Sequence, residues 1–585
     1  MKTSIPSMKL GLASAIAFAA LGMTGCGGDD DNSSTTSVDQ ATGGELASLF
    51  NCTAATTESA RVICIGSASD LTDATVSSEL VTALSTAKSG DTIILPQGRF
   101  NIATELTFDG NGSLGQVGTM VENLTIRGAG MDKTILDFDA ATSGGAKADG
   151  FFVSNTKDIT FEDFGVYEAP NNAIKLKKTD GIVLRRIATV WETDYQSTNG
   201  AYGLYPVETQ NVLIEDCYVK GSADAGVYVG QSSNIVVRNT IAEKNVAGIE
   251  IENSTNADVY GNTATGNTGG ILIFDLPIGN GLYGSGVRIF NNTVTDNNAP
   301  NFANASDFAG GVHIVPPGTG VIILSTSDVE IYDNTITGHQ TTAVALSSYV
   351  LADDKVLQVP NQDVGGADGN DETPSVMAYG DIATYAPEFI DGWSPLVRSI
   401  NIHDNTIVPG AYAPQGSLIR DIILGYTING SKVPDILYDG IGELMAQIPQ
   451  GQGGLLDITG GINAVAAGLY ANVLLPQMNA GAIETEAMQQ IPNLAEFGGY
   501  AAGDYVCASN NGDITQAAVF ATNPAEAVFV NGEPQPQLLQ SDESMTCGGN
   551  TGKTPYIGAA ATATIAGTVY GCGEDDTTST ACAPE

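Results

Sequence analysis

A short pattern returns along the middle of this chain: apolar residues at alternate positions, then a polar corner. It reads Ile235-x-Val237-x-Asn239-x-Ile241, then Val259-x-Gly261-Asn262-Thr263, then Val287-x-Ile289-x-Asn291-Asn292-Thr293. Val329-x-Ile331-x-Asp333-Asn334-Thr335 and Ile400-x-Ile402-x-Asp404-Asn405-Thr406 continue it. Earlier copies are Ile159-x-Phe161-x-Asp163, Ile182-x-Leu184-x-Arg186 and Val212-x-Ile214-x-Asp216. From Asp163 the corner recurs after 23, 30, 23, 23, 30, 42 and 71 residues. A recurring short period signals a repeat architecture. Alternation at period two turns every second side chain to one face of a strand. Asn at a corner tolerates left-handed backbone and can hydrogen-bond a stacked neighbour. The spacing therefore predicts an all-β solenoid of three-strand coils with Asn corners, the longer gaps being insertions at turns. A β-sandwich would leave the periodic corners unexplained.

The rest of the chain fits around that body. Ser78 to Ser89 reads as an amphipathic helix with Leu80, Leu84 and Ala87 on one side. The strand Gly90 to Phe100 follows it. A solenoid has to cover its first rung, because a bare end exposes core and unpaired edges. Insertions run from Trp191 to Ala201, after Phe274, from Asn297 to Ala309 and from Tyr349 to Pro395. Loops on a rigid scaffold commonly carry function. The coil body with its cap is assigned to residues 51–410. Past it the period fades, and residues 411–585 read as a mixed C-terminal cap or small domain with a disulfide-closed tail.

Lys and Arg number 23 against 66 Asp and Glu, a net charge of −43. That balance repels polyanions and argues against nucleic acid and nonspecific binding to anionic lipid. It counts against an acidic polysaccharide unless a local basic patch prevails, and it favours a monomer. Residues 1–25 form a secretory signal: Lys2 and Lys9, an apolar run from Leu10 to Leu21, and small residues before Cys26. Met8 is an alternative start. Residues 26–50 are a flexible tether. In an exported chain, Cys52 with Cys64, Cys507 with Cys547, and Cys572 with Cys582 are disulfide candidates. Cys217 is left as a small hydrophobe on a strand.

Stacking the strands that follow the corners gives an outward column of Lys175, Tyr205, Tyr228, Glu250, Leu272 and His313. A second column holds Lys177, Val207, Gly230, Glu252, Phe274 and Val315. Rungs lie about 4.8 Å apart. Aromatic rings with hydroxyls suit sugars. Tyr228, Glu250 and His313 are the acid–base candidates; Lys175, Lys177, Tyr202, Tyr205 and Glu252 are the substrate-binding candidates. Glu250 and Glu252 sit roughly 7 Å apart at Cα, within the spacing of paired glycosidase carboxylates. A solvated face with stacked tyrosines is the plainer reading. Asp194 and Asp224 are loop carboxylates that a Ca²⁺ ion could take. A recessed groove with Glu250 bonded to Tyr228 would favour an enzyme; a flat stripe would favour binding.

Gly90 to Phe100, Leu124-Thr125-Ile126-Arg127-Gly128-Ala129-Gly130, Asn199 to Val207 and the Asn-Asn-Thr or Asp-Asn-Thr corners resemble the right-handed parallel β-helix repeat proteins. The likeness is to an exported, often lipidated subgroup of unassigned activity, and it spans roughly residues 78–410. Cys507 with Asn510-Asn511-Gly512-Asp513 and Cys547 looks like that subgroup's C-terminal end. Met23-Thr24-Gly25-Cys26 resembles a bacterial lipobox, which implies lipidation at Cys26 and, with Gly27 next, the outer membrane. Cleavage near Cys26 without lipid is the alternative. The signature runs of polygalacturonases, mannuronan epimerases and pectate lyases are absent. The expectation is a surface lipoprotein that binds envelope or extracellular carbohydrate. The alternatives are a polysaccharide lyase, epimerase or hydrolase, and a scaffold or adhesin for a protein partner.

Overall fold

The computed structural model describes residues 52–56, 60–66, 71–111, 120–143, 146–276, 283–303, 311–349, 396–416, 418–419, 423, 426, 432–440, 505–512, 517–519, 528–530, 533–535, 545–548 and 553–572. The signal, the tether, Cys26, Cys582 and the insertion at 350–395 lie outside the described residues.

The coils are there, and each has three faces. One coil runs through Thr255–Tyr260 on face 1, Thr263–Thr265 on face 2 and Gly269–Phe274 on face 3. Every strand pairs in parallel with its counterpart one coil on: Ala257 with Val287, Ala264 with Val294, Ile271 with Val321. Face 3 alone runs to 11 strands among the described residues. The pairing registers on face 1 carry Ile159 to Ile182, Val212, Ile235, Ala257, Val287, Val329 and Ile400. One of those steps, Ile235 to Ala257, is a residue shorter than the corner count suggested, because Gly261 takes the left-handed corner position there (φ 65°). The inward columns from the three faces meet in one continuous apolar core.

The corners carry two ladders. Asn262, Asn292, Asn334, Asn405 and Asn511 are buried; from Asn292 onward each side-chain carbonyl accepts from the backbone N–H and the amide of the Asn below it, while that of Asn262 accepts from the Thr240 N–H. The left-handed position is the residue before each ladder Asn, for example Asn291 at φ 53° and Asp333 at φ 54°. A second ladder, Asn245 to Asn267 to Asn297, stands at the next corner. Buried polar groups must be paired, and a repeat lets one residue type do this at every rung. Cys217 occupies the first corner column ahead of Thr240. It is fully buried, with burial pushing its thiol up to about 12.

The N-terminal helix begins earlier than expected, at Asp73, and runs to Ser85. Thr72 caps it by accepting from the Thr75 N–H. Val76, Leu80, Ala83 and Leu84 close the first rung. At the other end the stacking passes residue 410. Ile436–Tyr438 pairs with Thr342–Ser347, Val506–Ser509 with Arg398–His403, and Ala517–Val519 with Ile436–Tyr438. Cys52–Cys64 and Cys507–Cys547 are disulfides. Cys572 is disulfide-bonded too.

The end of the described chain is a strap on the outside of face 1. Residues 556–566 run back across the coils, with backbone bonded in turn to Asn401, Glu330, Asp258, Asn211 and Asp158. Ala563 and Ile565 of the hairpin Thr562–Ile565 and Thr568–Gly571 pack on Val183, Leu213 and Val236. Beneath lies a column in which Glu162, Arg185, Glu215 and Arg238 alternate in sign. It continues as parallel stacked rings of Tyr260, Phe290, Tyr332 and His403.

Candidate functional site

The outward column of face 3 is assembled by register. Phe152 pairs with Lys175, Lys175 with Tyr205, Tyr228 with Glu250, and Glu250 with Leu272. After Leu272 comes Ile322, not His313. His313 sits in the 3-10 turn Val312–Ile314 ahead of the strand Thr319–Leu324. The expected placement took the first Gly-Val-x-Ile run as the strand, whereas the coil uses the later Thr319–Leu324. His313 is half-buried there, and burial lowers its pKa.

Exposure falls along this column. Thr107 is exposed, Phe152 and Lys175 are half-buried, and Tyr205, Tyr228 and Glu250 are 7%, 5% and 2% exposed. Leu272, Ile322 and Ala345 are buried. The face is therefore not a solvated stripe. Its later rungs are covered by the segment around Val315, whose side chain lies over Gly269. The open part is the earlier coils.

Three tyrosines cluster where the column goes under. Tyr202, from the insertion after Val190, has its ring 4.4 Å from that of Tyr205 and 4.7 Å from that of Tyr228; Tyr205 and Tyr228 meet edge-on at 5.0 Å. The Tyr228 hydroxyl donates to Glu252 at 2.8 Å, and Gln231 donates to the same carboxylate at 3.1 Å. Glu250 is not the partner of Tyr228, and its Oε2 has no hydrogen-bond partner. Burial raises the pKa of Glu250 well above the usual carboxylate range, helped by Asp224 and Glu252 nearby. Burial pushes Glu252 up to about 7, against the hydrogen bonds from Tyr228 and Gln231. Asp224 is raised for the same first reason, to about 8, with Tyr202 beside it opposing the rise. Buried Glu250 has no open water face, so the two glutamates do not present the paired geometry of an inverting glycosidase.

Beside the Tyr228–Glu252 contact runs a groove of about 790 Å³ along the corner after face 3. It crosses five coils, from Lys157 through Lys178, Glu208 and Gln231 to Asn253, between Met120 and Tyr283. Its lining includes paired hydroxyls: Thr156 with Thr179, and Thr209 with Ser232. Gln231 joins groove and cluster, since it lines the one and bonds to Glu252 in the other. Neither Gln231 nor the groove stood out in the sequence. The Thr/Ser position two residues past each strand was the available signal.

The remaining candidates separate. Lys177 is buried and pairs with Glu208 at 3.4 Å. Lys175 stands over the rings of Phe152 and Tyr205 at 5.6 and 5.3 Å. Asp194 is held by Lys220 at 3.1 Å and Lys244 at 2.7 Å. Burial opposes its ionisation, but those bonds outweigh it and lower its pKa, so it serves two lysines rather than a cation. Tyr195 reaches Gly266 and packs on Phe302, away from the tyrosine cluster. No group of three or more His, Cys, Asp or Glu among the described residues is placed to hold a metal ion.

Residues 109–276 match the family described as right handed beta helix region. No curated protein matches the chain. Among solved structures it is similar to the A-module of an Azotobacter vinelandii mannuronan C-5 epimerase, at 16% identity over 59% of this chain and 87% of that one, TM-score 0.32. It is similar to a pectate lyase at 14% identity over 61% and 78%, TM-score 0.31. A third is the catalytic unit of an alpha-1,3-glucanase from Streptomyces thermodiastaticus, at 15% identity over 58% and 61%, TM-score 0.32. Likeness at this level says nothing about the chemistry of this chain. Coil repeat, parallel register and the matched region together give the chain a right-handed parallel β-helix fold.

Proposed function

We propose that this β-helix binds a carbohydrate chain along the corner groove and the open coils of face 3. The groove carries the reading: it is elongated, crosses five successive coils, and is lined by hydroxyl, amide, lysine and carboxylate groups with Tyr283 at one side. A linear polymer with a repeating hydroxyl pattern fits a surface that repeats its own polar groups about every 4.8 Å. The neighbouring tyrosine cluster adds rings with apolar faces. The sequence supports export and attachment to the outer membrane through lipid on Cys26; metabolic labelling with a fatty acid, with and without Cys26→Ser, tests that.

One observation favours a second reading, a polysaccharide-processing enzyme. Glu252 lies within proton-transfer distance of Tyr228 and is held up to about 7. A general acid or base works best when its pKa lies near the operating pH. A protein partner is the remaining alternative.

The test is a glycan array probed with the full chain, alongside Gln231→Ala and Tyr205→Ala/Tyr228→Ala, with and without Ca²⁺. Binding lost in these variants supports the reading. New reducing ends or unsaturated sugars in the bound fractions would replace it with the enzyme. No binding to any glycan overturns it in favour of a protein partner.

A further inference from the structure

The lysines on and beside face 3 are not equivalent. Lys177 and Lys178 both pair with Glu208. Lys175 differs. Among the described residues its ammonium has no hydrogen bond and no ion pair, and it stands half-buried between the rings of Phe152 and Tyr205. Asp149 is in electrostatic reach of it without a direct ion pair. Its Oδ1 already accepts from Asn171 and from the backbone and side chain of Asn172. A partly desolvated ammonium without a direct ion pair is costly, and ring faces offset only about 0.5–2 kcal/mol of that.

Position matters as much as pairing. Lys175 lies where the column passes from open to covered, one rung before Tyr205. A ligand on the open coils meets its ammonium with a ring on either side. The acids deeper on the same face, Glu250, Glu252 and Asp224, are held toward their neutral forms by burial, which weakens their repulsion of an anion there.

We propose that the glycan held on this face carries a negative substituent, a carboxylate or a sulfate, and that Lys175 receives it between Phe152 and Tyr205. The inference rests on the carbohydrate reading above and adds the substrate class. It explains how a chain of net charge −43 could hold an anionic polymer: one locally unopposed cation at the mouth, inside a field that is otherwise repulsive.

The experiment uses the full chain and four probes: uronic acid oligomers, the same oligomers after carboxyl reduction to neutral sugars, and a neutral glucan with its sulfated derivative. Affinities are measured by calorimetry for wild type, Lys175→Met, Lys175→Arg and, as a charge control, exposed Lys88→Met. The expected result is at least a tenfold preference for an anionic probe over its neutral counterpart. Lys175→Met removes that preference and leaves neutral binding in place; Lys175→Arg and Lys88→Met keep it. Preference for the uronate pair alone assigns a carboxylate, and preference for the sulfated pair alone a sulfate. Equal binding of charged and neutral probes, or a preference that survives Lys175→Met, overturns this inference while the carbohydrate reading stands. Binding of none of the four overturns both. Thermal melts of each variant ensure that a folded protein is compared, and Lys175→Gln, which also removes the charge, carries the test if Met does not fold.

Discussion

The Tyr228 hydroxyl donates to Glu252 at 2.8 Å, although the residue directly across the ladder from Tyr228 is Glu250. The diagonal contact is possible because Gly230 lies between them in sequence and opposite Glu252 in register. A Cβ on Gly230 would stand 2.4 Å from the Tyr228 ring and hydroxyl, so the ring lies flat over the bare backbone. Glu250 is left buried with an unpartnered oxygen, and Glu252 becomes the carboxylate that meets the groove through Gln231.

Gly230→Ala is expected to lift the Tyr228 ring off the strand and break its bond to Glu252. Overpacking of this kind destabilises by about 1–3 kcal/mol. Urea unfolding measures that cost, and glycan affinity should fall with it. An unchanged unfolding midpoint would mean that the ring is not seated on Gly230.

Stability should fall as pH rises through the mildly acidic to neutral range. Glu252 is raised from its ordinary 4.5 to about 7, so between those values the folded chain binds more protons than the unfolded one. Where the native state holds the extra protons, unfolding becomes easier as pH increases. Glu250 and Asp224 move in the same direction. Glu250→Gln removes a buried acid that cannot ionise cheaply. It is expected to gain about 1–3 kcal/mol over wild type at pH 8 and little at pH 4.5. Melting temperatures of both proteins across that range check the sign.

His403 moves in the same direction, through pairing rather than through burial. It bonds to Glu330 at 3.1 Å and Asp404 at 2.7 Å and stacks on Tyr332. The Glu330 bond, ahead of the opposing burial, raises its pKa above 6.5. The ion pairs therefore contribute fully below pH 6.5, and the contribution is lost as pH rises through the folded value. The group is half-exposed, so the effect is less than about 1 kcal/mol. Glu330 also accepts the Gly558 N–H of the strap at 2.9 Å. Faster amide exchange at Gly558 is expected at pH 9 than pH 6 after correction for intrinsic exchange, and His403→Gln should abolish the difference.

Asn334→Ala should be among the more damaging corner substitutions. The Asn334 amide donates to Ile289 O, Tyr332 O and Asn405 Oδ1, and its carbonyl accepts from Asn292. Each buried group left unpaired costs about 1–3 kcal/mol, and members of one network are not independent. A total loss of about 2–4 kcal/mol is expected in chemical denaturation. Asn291→Ala, at the positive-φ position of the preceding coil, tests the separate cost of the left-handed corner.

The coil body was legible because alternation and corner chemistry are local. Val287, Ile289 and Asn292 declare a strand and its turn without knowledge of their neighbours, and the recurring corner then sets the register. His313 shows where this stops. Gly311-Val312-His313-Ile314 has the strand pattern, yet the coil closes with Thr319–Leu324, because the segment before it is needed to cover Gly269 and Leu272. Lys175, Tyr205, Tyr228 and Glu250 could be placed in one column from spacing alone. Their burial could not, since it depends on insertions whose path no period describes. The strap was hidden for the same reason: Ala563 and Ile565 carry no pattern that points to Val183 or Val236.

The repeat by itself determined that this chain is a parallel β-helix, since a period of one coil, apolar alternation and a polar corner admit no other economical stacking. It also determined which residues share a face. Only the tertiary structure decided which parts of that face are open, that Tyr228 answers to Glu252 rather than Glu250, and that Lys175 keeps an unpaired ammonium while Lys177 does not. Those outcomes depend on solvent exclusion by segments distant in sequence. Desolvation and pairing are set by what lies within a few ångströms in space, not by position along the chain.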